Sequence, residues 1–333
     1  MPHKVTWTKG MRLSTDVFNA MDAAAAHSLN LVARLAAEGR YGLFPAAKPF
    51  ELSAGISSNC IDVVSLNCHG ITRSGKIIDI DFDSNYSHTF DTRVAIPAGA
   101  DEQQSFLLVV RMLDGKWREI DGVYSEAAYV FELVGENSPL DDDSLPVASI
   151  VNQYGWRLNE TDFVPPCLYV TAHHRFAEQA ARGARQAKSI LARCLTADGC
   201  PAGNFISALA TAASYAWHRL EKEADTLTPA QMLATIQHLV TTFIVACTAD
   251  QYVNLSSREQ FDAYAMRPLD MRRIFADVED GLALLGEMSV LTDAVCAIRD
   301  IPEPAPAPKP KPAPRPAPEP DVKRRRGWEG IEI

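Results

Sequence analysis

Two adjacent prolines, Pro165-Pro166, divide a chain of 333 residues into halves whose hydrophobic residues recur at different periods. Neither proline has a backbone N–H to donate, and Val164 ahead of them is pushed out of the helical region, so the pair predicts a joint between domains. Before it, from about residue 41 to 135, the apolar residues come in short β-branched or aromatic runs at 61–66, 76–82, 106–110 and 129–134. Gly70, Gly75, Pro97-Ala98-Gly99 and Asp114-Gly115 punctuate these runs, and Asp114-Gly115-Lys116 reads as a tight hairpin turn. Repeated short strands with turn signals between them predict an antiparallel sandwich or barrel, to which 145–170 adds a last β segment. A helix over 16–38 precedes the strands. Ser14 or Asp16 can cap it, Gly39 ends it, and Val17, Phe18, Met21, Leu31, Val32 and Leu35 give it an apolar stripe.

After the prolines the apolar spacing becomes three and four. Helices are predicted over 172–195, 202–225, 229–248, a shorter stretch opening at Ser256-Ser257-Arg258-Glu259, and 270–298. The signal is sharpest at Thr228-Pro229-Ala230-Gln231, which combines a capping box with proline at the first helical position. Behind it, Met232, Ile236, Leu239, Phe243 and Cys247 form one seam. Such a seam packs either inside its own bundle or against sister chains, and Leu191, Ile236, Leu239 and Phe243 are the candidates for trimer or neck packing. The predicted fold class is therefore multidomain α+β: an N-terminal helix plus antiparallel β-sandwich over 1–168, a helical bundle over 169–300, and a tail over 301–333.

That tail has a composition of its own. Ten prolines occupy every second position from Pro302 to Pro320, which prescribes polyproline II rather than a helix or a core. Its last residues combine Arg324, Arg325 and Arg326 with Trp328 and Ile331, a basic, aromatic and aliphatic tip with the make-up of a tethered docking peptide.

Charge and motif content exclude several classes of function. The tail carries +2 and the first 300 residues −12, and an acidic body argues against a nucleic-acid partner. Seven cysteines at 60, 68, 167, 194, 200, 247 and 296 show no disulfide framework and no CxxC pair, so free thiols in a reducing compartment are expected. The N-terminus has no apolar signal region, and no run nears the ~20 apolar residues of a membrane span, so a cytoplasmic body is expected. Asp79, Asp81 and Asp83 start like a calcium loop, but Ser84 and Phe90 stand where such a loop needs Gly and Glu, so alternation on a strand explains them. His173-His174, adjacent at a helix start, point about 100° apart and make poor joint metal ligands. GxSxG, Walker and HExxH motifs are absent, so no catalytic, cofactor or metal residue is nominated.

One ordered set of short motifs remains. The chain opens Trp7-x-x-Gly10-Met11-x-Leu13 with Phe18 five residues on. Leu145-Pro146-Val147 with Ile150 follows, then Phe163-Val164-Pro165-Pro166-Cys167-Leu168, then the helical run. Over roughly residues 1–290 this order resembles the TssK family, the baseplate adaptors of bacterial type VI secretion systems. The resemblance implies a β-sandwich shoulder, a helical neck and a non-catalytic homotrimer. Such a trimer holds a wedge of TssF, TssG and TssE and faces the inner-membrane complex through its C-terminal region. By that resemblance Trp7, Gly10, Met11, Leu13 and Phe18 form a structural cluster or the edge of the wedge-binding surface. Two departures stand out. The family commonly continues x-Pro-Gln-His-Phe after the Leu13 position, whereas here Ser14-Thr15-Asp16-Val17 leads to Phe18. The usual head domain is also cut down, its place taken by 270–298 and the proline tail. The residues by themselves also admit a scaffold whose tail binds SH3-like modules, or an unrecognised enzyme on a β-sandwich.

Overall fold

One long strand organises the first sheet. β3 (Cys60–Ile71) pairs antiparallel with β1 (Gly42–Leu43), β2 (Glu51–Ile56), β4 (Ile77–Phe82) and β5 (Arg93–Ala95). The computed structural model describes residues 5–82, 92–97, 104–119, 125–250, 255 and 257–298, with backbone alone at 82, 114–119, 125 and 126. In the second sheet β6 (Ser105–Glu119) lies between β7 (Ser125–Gly135) and β8 (Ser144–Asn152), with β9 (Trp156–Leu158) outside β8. Alternation decides which side chains meet between the sheets: Ile61, Val63, Leu66 and Cys68 of β3, Ile78 and Ile80 of β4, and Leu108, Val110, Phe131, Leu145 and Ile150 opposite are all buried. Asp79 and Asp81 stay on the wet face of β4, where Asp79 meets His69 Nδ1 at 2.7 Å and Asp81 pairs with Lys48. Asp83 and the remainder of the calcium-like run lie outside the described residues.

The predicted turn at Asp114-Gly115-Lys116 does not form. β6 runs through it to Glu119, and the pairing with β7 jumps from Met112↔Tyr129 to Trp117↔Ala127. The extra residues are taken up as a bulge within the ladder, which a local turn signal cannot distinguish from a reversal.

Pro165-Pro166 stands where the layers change. Leu43 N–H donates to the Pro166 carbonyl at 2.7 Å and Leu168 N–H to the Leu43 carbonyl at 2.8 Å, so the prolines leave their neighbours free to extend the β1 edge. A 3-10 turn at Val170–Ala172 leads into α2 (His174–Leu195), followed by α3 (Gly203–Lys222), α4 (Pro229–Ala249), α5 (Arg258–Ala265) and α6 (Ile274–Cys296). The capping box at α4 makes both of its bonds, Gln231 N–H to Thr228 Oγ1 at 3.1 Å and Thr228 N–H to Gln231 Oε1 at 3.0 Å. α5 begins behind Ser257, whose side chain makes no capping bond, and Ser256, the capping residue of the predicted Ser256-Ser257-Arg258-Glu259 start, lies outside the described residues.

A heptad ladder sets the register of α2 against α6. Gln179 Nε2 donates to the Phe275 carbonyl, Gln186 Nε2 to that of Leu282 and Arg193 Nη1 to that of Ser289, at 3.1, 3.1 and 3.2 Å. Both helices advance by seven residues per rung, so they run parallel, and the return path falls to the α4–α6 segment. Gly183 and Gly281 allow close packing here. A Cβ at Gly281 would lie 2.0 Å from the Tyr264 hydroxyl. The apolar core is continuous from Ile61 and Leu108 in the sheets through Phe176 and Phe205 to Leu285 in α6.

Candidate interaction surface

The motif Trp7-x-x-Gly10-Met11 is a turn. Met11 N–H donates to the Thr8 carbonyl at 3.1 Å, and Gly10 holds φ +87°, the left-handed value that favours glycine at the third position of a type II turn. The turn delivers the chain to α1 (Thr15–Ala36), with Ser14 at the N-cap position but making no side-chain cap bond. At the other end Glu38 N–H donates to Leu35 and Gly39 N–H to Arg34, a Schellman closure with Glu38 and Gly39 both at positive φ.

α1 turns its apolar side outward. None of its residues is buried, and apart from Val17 near its start the half-buried positions, Ala24, His27, Asn30 and Ala33, are small or polar. Contact with the body is concentrated at the C-terminal end. Gly75, at φ +94°, lets the β3–β4 turn approach Asn30 so closely that a Cβ there would lie 2.3 Å from the Asn30 carbonyl oxygen. Ala33 packs with Ala37, Ile71 and Leu168 in a small cluster of its own. Phe18, Met21, Ala25, Ser28, Val32 and Leu35 follow one another at alternating spacings of three and four, the seam of a coiled-coil helix. Val32 is 63% and Leu35 78% exposed, and Leu29 and Leu31 flank the seam, also exposed. Trp7 and Leu13 are exposed and Met11 is half-buried, so the N-terminal motif residues do not form a packed cluster within the chain. An exposed apolar tract of this extent marks an interaction surface.

The other sequence candidates lie elsewhere. Ile236, Leu239 and Phe243 are fully buried among α3, α5 and α6, with Phe243 against Phe205 and Phe261, and Leu191 is half-buried against the same core. Of the two roles open to them, they fill the packing one within their own bundle. α4 is long and apolar enough to cross a membrane by composition, with mean hydropathy 1.6. Its seam is nonetheless spent on that core. Pro165 and Pro166 lie between β9 and α2, within one compact unit whose core runs from the sheets into the helices. His173 caps α2, its Nδ1 accepting the Arg175 N–H at 3.3 Å, and stacks on His174 at 4.6 Å. Burial pushes the His173 imidazole down to about 4, with His174 and Arg175 adding to the effect. Among the described residues no three His, Cys, Asp or Glu side chains are placed to share a metal ion, and no disulfide joins the seven cysteines. Arg324, Arg325, Arg326, Trp328 and Ile331 lie outside the described residues.

No family model matches the chain, and no curated protein is similar to it in sequence. Solved structures do share its fold. TssK in the type VI secretion system TssK-TssF-TssG baseplate subcomplex superposes with TM-score 0.56 at 15% identity, over 88% of this chain and 99% of that one. A crystal structure of TssK gives 0.57 at 14%, over 87% of this chain and 69% of that one. TssK from EAEC, bound to a nanobody, gives 0.55 at 14%, over 84% and 69%. The chain has the TssK fold. At this identity the likeness establishes architecture, a mixed α+β body with antiparallel sheets followed by helices, and it extends over sandwich and bundle together. Part of the TssK chain in the crystals has no counterpart in the match.

The apolar stripe legible in the sequence holds four of the six seam positions, Phe18, Met21, Val32 and Leu35, without their heptad register. Ala25 and Ser28 are too small and polar to stand out as seam positions, and only the exposure of Val32 and Leu35 reveals which side of the helix faces outward.

Proposed function

We propose that the chain is a non-catalytic structural adaptor of a type VI secretion baseplate. In this reading it is a homotrimer that holds a wedge of TssF, TssG and TssE and reaches the inner-membrane complex from the cytoplasmic side. One observation carries the reading: a body with the TssK fold, whose neighbours include TssK within a TssK-TssF-TssG subcomplex, exposes a run of large apolar side chains along the N-terminal turn and α1. A fold alone hosts many functions, so the exposed tract is what supports assembly rather than catalysis.

Within the trimer the seam of α1 meets the same seam of two sister copies. At 22 residues α1 spans about 33 Å, enough for three heptads. Trp7, Met11, Leu13 and Phe18, at the free end of that helix, then form the edge of the wedge-binding surface. The membrane-side contact belongs to the tail, with Arg324, Arg325 and Arg326 for an acidic groove and Trp328 and Ile331 for an apolar pocket. Three tails on one particle act through avidity, because linked sites raise effective concentration without new contacts. Light scattering on the purified chain tests the assembly, and a monomer mass at micromolar concentration rejects it. Deleting residues 301–333 should leave trimers and wedge complexes intact and stop sheath firing. Normal firing without the tail would return the membrane-side role to α6.

A further inference from the structure

The two flanks of the sandwich differ. On one, β5 and β7 approach each other across the sheets. On the other, β2 and β9 are both terminal strands, and neither has a second β partner among the described residues. β2 is an edge of six residues without Lys or Pro, the devices that usually blunt such edges. Its Leu52, Ala54 and Ile56 point into the sandwich yet are only half-buried, and among the described residues no further strand pairs with that edge. The β2–β3 register is regular from Glu51 to Ser53 and shifts only between Ser53 and Ala54.

A cavity of about 360 Å³ opens beside the regular end of β2, within the size range of ligand pockets. Its walls are largely apolar, including Phe50, Leu52, Leu158 and Phe163, and the start of α2 lies against it. Neutral polar groups in the lining include Ser149 and His173. The Ser149 hydroxyl is buried and has no hydrogen-bond partner among the described residues, an arrangement that costs stability unless a ligand satisfies it. His173 has Nδ1 occupied by the Arg175 N–H, which leaves its ring proton on Nε2. Glu51 and Glu160 stand exposed at the mouth, and neither has an ion pair among the described residues. The one guanidinium nearby is otherwise engaged: Arg175 donates to the carbonyls of Glu160 and Phe163 and lies 4.1 Å above the Phe275 ring.

We propose that β2 and this cavity form a docking site for an extended peptide segment of another protein. The segment adds to β2 as a further strand, places one aromatic or branched side chain in the cavity, and carries a Lys or Arg for Glu51 and Glu160. An open strand edge selects an extended backbone, since only that conformation offers N–H and C=O groups at the matching repeat. The half-buried Leu52 and Ala54 supply the alternate apolar contacts. The two unpaired carboxylates select a cationic neighbour over an anionic one.

A phage-displayed heptapeptide library panned against the full chain tests the site, with the double variant Glu51→Lys, Glu160→Lys as counter-target. Both carboxylates are exposed, so the variant should melt with the wild type. Enriched peptides should carry an aromatic residue beside Lys or Arg, and should lose at least about tenfold in affinity on the variant. Methylating alternate backbone nitrogens should abolish binding in one frame and spare it in the other, because only one frame of an added strand faces β2. No enrichment, equal binding to both proteins, or tolerance of methylation in both frames overturns the proposal. So does slow hydrogen exchange, in the peptide-free protein, of the β2 amides that point away from β3, which would give the edge to a second copy.

Discussion

α1 and α4 are of nearly equal length, 22 and 21 residues, and both carry apolar residues at spacings of three and four. Their environments are opposite. Ile236, Leu239 and Phe243 of α4 are wholly excluded from solvent, whereas no residue of α1 is buried. The difference lies in what stands on the other side of each helix. α4 packs against α3, α5 and α6, so its seam meets partners within the chain and only a narrow face with Val245 stays exposed. α1 rests on the body through Ala33, Asn30 and the Gly75 turn, and its bulky side chains face away. A hydrophobic period therefore specifies that a face will be covered, and leaves open whether the cover comes from the same chain.

The largest test of that contrast is a charge in each seam. Ile236→Asp should abolish folding, since an unpaired buried carboxylate costs several kcal/mol, and circular dichroism should show no cooperative melt. A matching pair of truncations is the milder form. Phe243→Ala should cost about 3–5 kcal/mol in denaturant unfolding. Phe18→Ala, with the side chain partly exposed, should cost less than about 1 kcal/mol of protomer stability and appear instead as a reduced assembly mass in light scattering. If Phe18→Ala destabilises the monomer as Phe243→Ala does, α1 is core and its seam has no second partner. Trp7→Ala extends the comparison to the motif: an unchanged melt with loss of wedge binding is expected, and a sharp drop in melting temperature would make Trp7 structural.

How much of this was legible in the sequence follows the same division. Local chemistry could be read wherever it acts alone. Thr228-Pro229-Ala230-Gln231 predicted a capped helix start and both bonds are present, and the change of hydrophobic period after Pro165-Pro166 coincides with the change from strands to helices. Strand runs at 61–66 and 106–110 were found because β-branched residues bounded by turn signals have few alternatives. Legibility failed where a long-range partner decides. Asp114-Gly115 carries a turn signal that β7 overrides by pairing on either side of it. The Gln179, Gln186 and Arg193 ladder is invisible in sequence, because its acceptors are main-chain carbonyls of another helix. The docking cavity draws on β2, β8, the loop after β9 and α2, and no short motif spans such a set.

Acid should separate α1 from the start of α2. His173 is buried at the start of α2 with its pKa lowered from 6.5 to about 4, so the unfolded chain binds a proton over that interval and the folded chain does not. The stability of the neutral form is therefore fully present above pH 6.5 and is lost as pH falls toward 4, by about 2–3 kcal/mol. No residue of the α1 seam titrates, because Phe18, Met21, Ala25, Ser28, Val32 and Leu35 have no ionisable group in this range. Denaturant melts between pH 7 and 4 should show the loss, and His173→Asn, which keeps an acceptor for the Arg175 N–H, should flatten it. An equally steep slope in the variant would assign the acid sensitivity to other groups.

The smallest expected effect concerns the helix starts. Both α1 and α4 have a hydroxyl residue at the N-cap, but only Thr228 uses it, in a reciprocal pair with Gln231, while the Ser14 side chain makes no cap bond. Thr228→Ala should cost about 1 kcal/mol, because it frees a helix N–H that is otherwise satisfied. Ser14→Ala should change the protomer's stability by no more than a few tenths of a kcal/mol, within the usual range of exposed surface positions. Matched thermal melts of the two variants measure the difference directly. If Ser14→Ala costs as much as Thr228→Ala, the start of α1 is held by contacts of its own hydroxyl, and α1 is a more integral part of the protomer than its exposed seam implies. If Ser14→Ala leaves the melt unchanged and lowers the assembly mass, the start of α1 becomes ordered through its neighbours in the assembly.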